Sequence, residues 1–155
     1  MMGLAPGDIH GGAEGLGALP AGIGANCGVG ASDILASLLD MSAANAGATL
    51  IVKGNCGIPQ FHGTEIHYSG TPELMADYVR LAIDSGARII GGCCGTSREH
   101  LAAMRAALDT HVKAERPAIE DITARIGPLR NKQAKDSGAN ATDTGARRER
   151  RRSRS

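Results

Sequence analysis

Residues 86–108 read GARIIGGCCGTSREHLAAMRAAL, and this stretch decides the fold class. Ala87 to Ile90 (ARII) ends in two isoleucines and reads as a short strand. Gly91, Gly92 and Gly95 around Cys93-Cys94 tolerate the backbone angles of a sharp turn. Thr96 to Glu99 fits the capping-box pattern, and Leu101, Met104 and Leu108 then recur at helical spacing. The order is strand, glycine-rich turn, helix.

The same order occurs twice upstream. Ala21 to Ala25 reads as a buried strand. Ser32 to Asn45 follows as a helix with Ile34, Leu35, Leu38 and Leu39 on one face, Ser32 as its N-cap and Gly47 as its stop. Thr49 to Lys53 (TLIVK) is a second strand, rich in β-branched residues. Thr71-Pro72 marks a helix start, a capping hydroxyl followed by proline at the first helical position. Leu74, Met75, Tyr78, Val79 and Ala82 give that helix its apolar face, and Gly86 ends it. Three strand–helix units imply parallel strands, helices packed outside and right-handed crossovers. A short last helix spans Pro117 to Ile126. Residues 6–20 are glycine-rich and form a poor helix or a loop. From Asn131 the chain is polar and reads as disordered, which divides it into a folded part, 1–130, and an arginine-rich tail, 131–155.

The 155 residues suit one ordinary domain. Aromatic residues are 2% of the chain, so the core must be built from Leu, Ile, Val, Met and Ala. The last nine residues hold six arginines and one glutamate, so the body without them is mildly acidic at −4 and offers no broad phosphate-binding face. The tail itself lacks the aromatic platform of a single-strand binder, so no nucleic-acid partner is expected. No apolar run reaches the roughly 18 residues of a membrane span. The first ten residues lack the basic and apolar regions of a secretory signal, so a cytoplasmic location with reduced thiols is expected.

The four cysteines are Cys27, Cys56, Cys93 and Cys94. Each falls at or just beyond the end of a predicted strand. In a parallel sheet or barrel those ends share one edge, where active sites form. Adjacent side chains on an extended strand point to opposite faces, so the backbone must bend for Cys93 and Cys94 to reach one point. With Cys27 they would supply three thiolates, a set zinc favours, leaving one tetrahedral position open for chemistry. Two other readings of the pair stand beside this one: a pair of small buried hydrophobes, and a vicinal disulfide. Cys56 alone reads more plainly as packing. His62 and His67 lie in the loop after the second strand, where a solvated or loop-bracing role is the plainer reading. His10, His100 and His111 have no ligand-like partners at helical spacing and read as surface residues. GANCGVG (24–30) is neither a dinucleotide-binding fingerprint nor a P-loop.

Gly24-Ala25-Asn26-Cys27, Lys53-Gly54-Asn55-Cys56-Gly57-Ile58-Pro59 and Gly91-Gly92-Cys93-Cys94-Gly95-Thr96, in this order, resemble the motifs of the homocysteine S-methyltransferase family over roughly residues 20 to 112. That family includes betaine–homocysteine methyltransferases and the homocysteine module of cobalamin-dependent methionine synthase. The resemblance implies a (β/α)8 TIM barrel, of which this chain would be a C-terminal portion of about three units. A complete barrel takes about 250 residues, so an N-terminal half, or a second copy of the chain, would be needed to complete it; alone, three strands would expose apolar edges and be poorly stable. It also implies Zn2+ on Cys27, Cys93 and Cys94, with Asn55 as a fourth-ligand or substrate-binding candidate and Asn26 shaping the loop or contacting substrate. Cys56 departs from the small residue, usually alanine, found in the family. The implied partners are homocysteine and a methyl donor. The wording of GANCGVGASDIL looks most like betaine-type enzymes, with methylfolate- or methylcobalamin-linked units next.

Overall fold

The computed structural model describes residues 20–28, 30–44 and 47–130. Its elements in chain order are β1 (Ile23–Cys27), α1 (Ala31–Ala44), β2 (Leu50–Gly54), β3 (Pro59–His62), β4 (Glu65–Tyr68), α2 (Pro72–Asp84), β5 (Ala87–Gly92), α3 (Arg98–Thr110) and α4 (Ile119–Ile126). The glycine-rich segment 6–19, His10 and the arginine-rich tail lie outside the described residues.

The three strands expected from the apolar runs form one parallel sheet in the order β1-β2-β5. Ile23 faces Leu50 and Cys27 faces Gly54 across β1 and β2; Val52 faces Ile90 and Gly54 faces Gly92 across β2 and β5. Burial alternates along β1 and β2, as it must when helices cover one face of a pleated strand. Ile23, Leu50 and Val52 are buried on the helix side, whereas Asn26 and Lys53 are exposed on the other. Ile89 is 52% exposed.

The core is aliphatic, as so few aromatic residues require. Leu35, Leu38, Met41, Val52, Met75, Leu81 and Ile122 are fully buried, and each such side chain contributes about 1.5–3 kcal/mol through burial. Tyr78 is the aromatic residue at its centre, 0% exposed. Its hydroxyl accepts a 3.0 Å bond from the Gly54 amide at the end of β2. That bond ties α2 to the edge of the sheet where the cysteines gather. Burial holds the Tyr78 phenol protonated far above its ordinary range.

Helix signals were legible to within a residue or two, with local corrections. Thr71 caps α2, its Oγ1 accepting from the Leu74 amide at 3.2 Å. Ser32 is not an N-cap: α1 already begins at Ala31, and Ser32 Oγ donates to the Gly127 carbonyl at 2.7 Å, fastening the chain after α4 to α1. The capping box of α3 is one residue later than Thr96–Glu99. The Ser97 amide donates to His100 Nδ1 at 3.1 Å, which makes Nε2 the protonated nitrogen, 3.4 Å from the Gly70 carbonyl. His100 is therefore half-buried and structural. His111 is likewise no free surface residue: its Nε2 donates to Asp84 Oδ1 at 2.8 Å, and the Ala114 amide donates to the same oxygen at 2.8 Å. The pair pins the α3–α4 connection against the end of α2.

The segment after β2, read from the sequence as a loop, contains the antiparallel hairpin β3–β4 with Phe61 facing Ile66 and His62 facing Glu65. Its two-residue turn is Gly63-Thr64, with Gly63 at φ +65. Glycine at the first turn position suits a type II′ hairpin.

Candidate metal centre

The strand ends bring three of the four cysteines together. Cys27 Sγ lies 3.8 Å from Cys94 Sγ, and Cys93 Sγ lies 3.9 Å from Cys94 Sγ. All three sulfurs are within 4.8 Å of one another. Two backbone features bring this about. Cys27 closes β1 in the left-handed region at φ +66, a conformation that costs a non-glycine residue about 1–2 kcal/mol. Beyond β5, Gly95 at φ +75 turns the chain, and any larger side chain there would collide with the Tyr68 ring.

The middle strand holds the Cys93-Cys94 segment in place. The Cys93 amide donates to the Gly54 carbonyl at 2.8 Å, and the Cys56 amide donates to the Cys94 carbonyl at 2.9 Å. The Asn55 side chain adds a third bond, accepting from the Cys94 amide at 3.2 Å. Its other end donates to the Gly28 carbonyl at 2.6 Å.

The geometry suits a tetrahedral thiolate site. A metal–sulfur bond of about 2.3 Å gives a tetrahedral edge of about 3.8 Å between sulfurs, which is the Cys27–Cys94 spacing. The site is also electrostatically primed. Hydrogen bonding from Cys94, then from Cys93 and Asn55, pulls the Cys27 thiol below its ordinary value. Cys94, held protonated mainly by the bond it gives Cys27, is pushed up. The disulfide alternative for the vicinal pair finds no support, since all four cysteines are free thiols.

The remaining candidates fall elsewhere. Cys56 is fully buried in the apolar core and outside the cluster, its thiol pushed up by burial. Asn26 is exposed on the open face of the sheet, one residue before Cys27. His62 and His67 are exposed on the hairpin with ring centroids 5.3 Å apart. Tyr68 was not anticipated. Half-buried at the end of β4, it packs over Gly95, and its phenol is pushed up first by burial and then by a hydrogen bond with Cys94. The Gly63-Thr64 turn signal could have placed it, since a hairpin there folds Tyr68 back toward Cys56.

A parallel sheet with helices packed on one face carries at its strand ends a three-thiol cluster that could hold a metal ion. The sequence model described as homocysteine S-methyltransferase matches residues 6–108, and the chain belongs to that methyltransferase family.

Proposed function

We propose that this chain carries the zinc-thiolate centre of a homocysteine S-methyltransferase, with Cys27, Cys93 and Cys94 as the protein ligands. The observation that carries the reading is the three sulfurs within 4.8 Å of one another in a chain of this family. Bound zinc would supply Lewis acidity, holding an incoming thiol as its thiolate at neutral pH, where an ordinary thiol is mostly protonated. Cys27, Cys93 and Cys94 would hold the ion, and three protein ligands would leave a tetrahedral position for that thiol. On binding, the thiol would release its proton to solvent. With betaine as donor, the homocysteine sulfur would form a bond to the methyl carbon as the carbon–nitrogen bond breaks, its electron pair staying on nitrogen. The products are methionine and, from betaine, the demethylated amine. The chain's own work is to position the sulfur, not to move the proton.

The betaine assignment rests on the wording of residues 24–35 (GANCGVGASDIL), with methylfolate or methylcobalamin as the competing donors. The sheet is proposed to be a sector of a (β/α)8 barrel. Helices on one face and an exposed Ile89 on the other support this, since in a barrel further strand–helix units would cover the open face. A non-catalytic zinc-binding piece is the outcome if those units are missing. Free thiols at the centre suit a cytoplasmic setting.

X-ray absorption on the zinc-loaded chain, with and without homocysteine, tests the centre. The expected change is from three to four sulfur neighbours. Zinc whose coordination ignores homocysteine would remove the transferase reading and leave the metal site.

A further inference from the structure

We propose that the Tyr68 hydroxyl donates a hydrogen bond to the Cys94 sulfur and so blunts that sulfur as a nucleophile, turning a methyl donor toward the bound substrate thiolate and away from a cysteine that holds the metal. The inference rests on the metal-centre reading above and gives Tyr68 a specificity role within it. Three ligand thiolates beside the substrate sulfur are themselves nucleophiles, each able to displace a leaving group from a methyl carbon. Methylation of a ligand would turn a thiolate into a neutral thioether and weaken the centre. A site that methylates an incoming thiol therefore needs a difference between that sulfur and its own.

The hairpin sets Tyr68 in place for this. Tyr68 ends β4 opposite Pro59, and the backbone beside it is fastened near the sheet edge. The Ser69 amide donates to the Ile58 carbonyl at 3.3 Å, and the Gly70 amide to the Cys56 carbonyl at 3.1 Å. The Tyr68 ring lies against Gly95, the residue after Cys94. A Cβ added to Gly95 would sit 2.3 Å from Tyr68 Cγ, so glycine there leaves the space that the ring fills. From this position the hydroxyl bonds the Cys94 sulfur. Cys94 is raised chiefly by its bond to Cys27, and Tyr68 opposes that shift. Tyr68 is itself raised by burial and then by Cys94. Those are the signs of a hydroxyl that gives its proton to sulfur. Such a bond is strongest while the sulfur carries its full charge. It weakens as the sulfur passes charge to a methyl carbon, so it favours the resting ligand over the attacking one. One hydroxyl has one proton to give, so Tyr68 cannot blunt the substrate sulfur at the same time.

Tyr68→Phe keeps the ring over Gly95 and removes the proton. The zinc-loaded chain is treated with methyl iodide, whose iodide leaves with the bonding pair as sulfur takes the methyl carbon. Mass spectrometry then maps the added methyl to each cysteine. Methylation of Cys94 is expected to quicken about 3–10-fold in Tyr68→Phe, a fraction of what a hydrogen bond to a charged group is worth, with Cys27 and Cys93 little changed. Cobalt in place of zinc gives a readout that a merely structural role would not move. Its sulfur charge-transfer band is expected at longer wavelength in Tyr68→Phe, since a sulfur freed of the bond holds its electrons less tightly. Its intensity should hold, because three thiolates remain. An unchanged Cys94 rate and band, an equal rise at all three cysteines, or a loss of band intensity each overturns the proposal. Should Tyr68→Phe fail to fold, NMR of the unsubstituted chain decides. Overhauser contacts from the Tyr68 ring to the Gly95 α-protons and the Cys94 β-protons are expected, with a hydroxyl proton protected from exchange; their absence overturns the proposal. An unsubstituted chain that binds no zinc would remove the metal-centre reading and the proposal together. Zinc binding with a Cys94 indifferent to Tyr68→Phe would remove the proposal alone.

Discussion

Replacing Cys27 by serine tests the proposed centre most directly, because Cys27 is the candidate ligand that comes from a different strand. Its sulfur lies 3.8 Å from that of Cys94, 67 residues away in sequence. A serine hydroxyl is not ionised at neutral pH and does not replace a thiolate. Structural zinc bound by four side chains is worth about 10–16 kcal/mol, or about 3–4 kcal/mol per ligand. At 1.4 kcal/mol per tenfold, losing one of three thiolates should weaken zinc binding by about 10²–10³-fold. Two further readouts count ligands. Each bound thiol gives up its proton, so zinc loading of Cys27→Ser should release about one proton fewer. Cobalt in place of zinc should lose about one third of its sulfur charge-transfer absorbance, as three thiolates become two. Chelator competition, a pH indicator in weak buffer and absorbance spectra give the three numbers. Cys56→Ala is the control: its thiol lies in the core outside the cluster, so metal binding should be unchanged. Unweakened zinc binding in Cys27→Ser would refute the convergence of the strand ends on one ion.

Other perturbations read the scaffold around the site. Tyr78→Phe deletes the buried acceptor of the Gly54 amide and should cost about 1–3 kcal/mol in urea denaturation; an unchanged midpoint would mean that this bond does not hold α2 to β2. Asp84→Ala strands both His111 and the Ala114 amide, and a loss of about 2–3 kcal/mol is expected, with no change in metal affinity because the pair sits at the far end of α2. Alkaline pH should also destabilise the fold. Cys56 and Tyr78 are raised by burial above ordinary values of 9.0 and 10.0, so the unfolded chain ionises first. The stability they provide is complete below pH 9.0 and declines as pH climbs toward the raised folded values. Cys56→Ala should delay the onset of that decline, and a denaturation midpoint that stays constant to about pH 11 would contradict the burial of both groups.

The sheet and its helices were legible because each unit carries its own punctuation. TLIVK can only be a short strand between Gly47 and Gly54, and Thr71-Pro72 states a helix start by covalent chemistry alone. Convergence of Cys27 with Cys93 and Cys94 followed from parallel strands sharing an edge. What stayed hidden was long-range. The bond from Ser32 to Gly127 makes a capping residue into a tertiary tether. His111 reads as a surface histidine until Asp84, 27 residues away, supplies its partner. The β3–β4 hairpin eluded the reading because Phe61 and Ile66, its apolar pair, are exposed at 74% and 52%, so no alternation of burial marks it. The positive φ of Cys27 has no local sign either, since the residues that favour that region are glycine and asparagine.

The energetics of the thiol cluster argue that it is arranged for an ion and not for the stability of the fold. Cys27 occupies a backbone conformation that disfavours side chains, at a cost of about 1–2 kcal/mol. Its thiol is lowered and that of Cys94 raised, in both cases chiefly by the hydrogen bond between them. A core needs none of this: Cys56, two residues beyond the same sheet edge, packs as a small neutral hydrophobe with its proton retained. The same residue type thus takes two electrostatic roles within one edge, decided by whether its neighbours are sulfurs or hydrocarbon. Three ionised sulfurs at contacts of 3.8–3.9 Å would repel one another, and a divalent charge among them would offset that repulsion. On the proposed metal-centre reading, a bound divalent cation would offset both the strain at Cys27 and the repulsion of the ionised sulfurs.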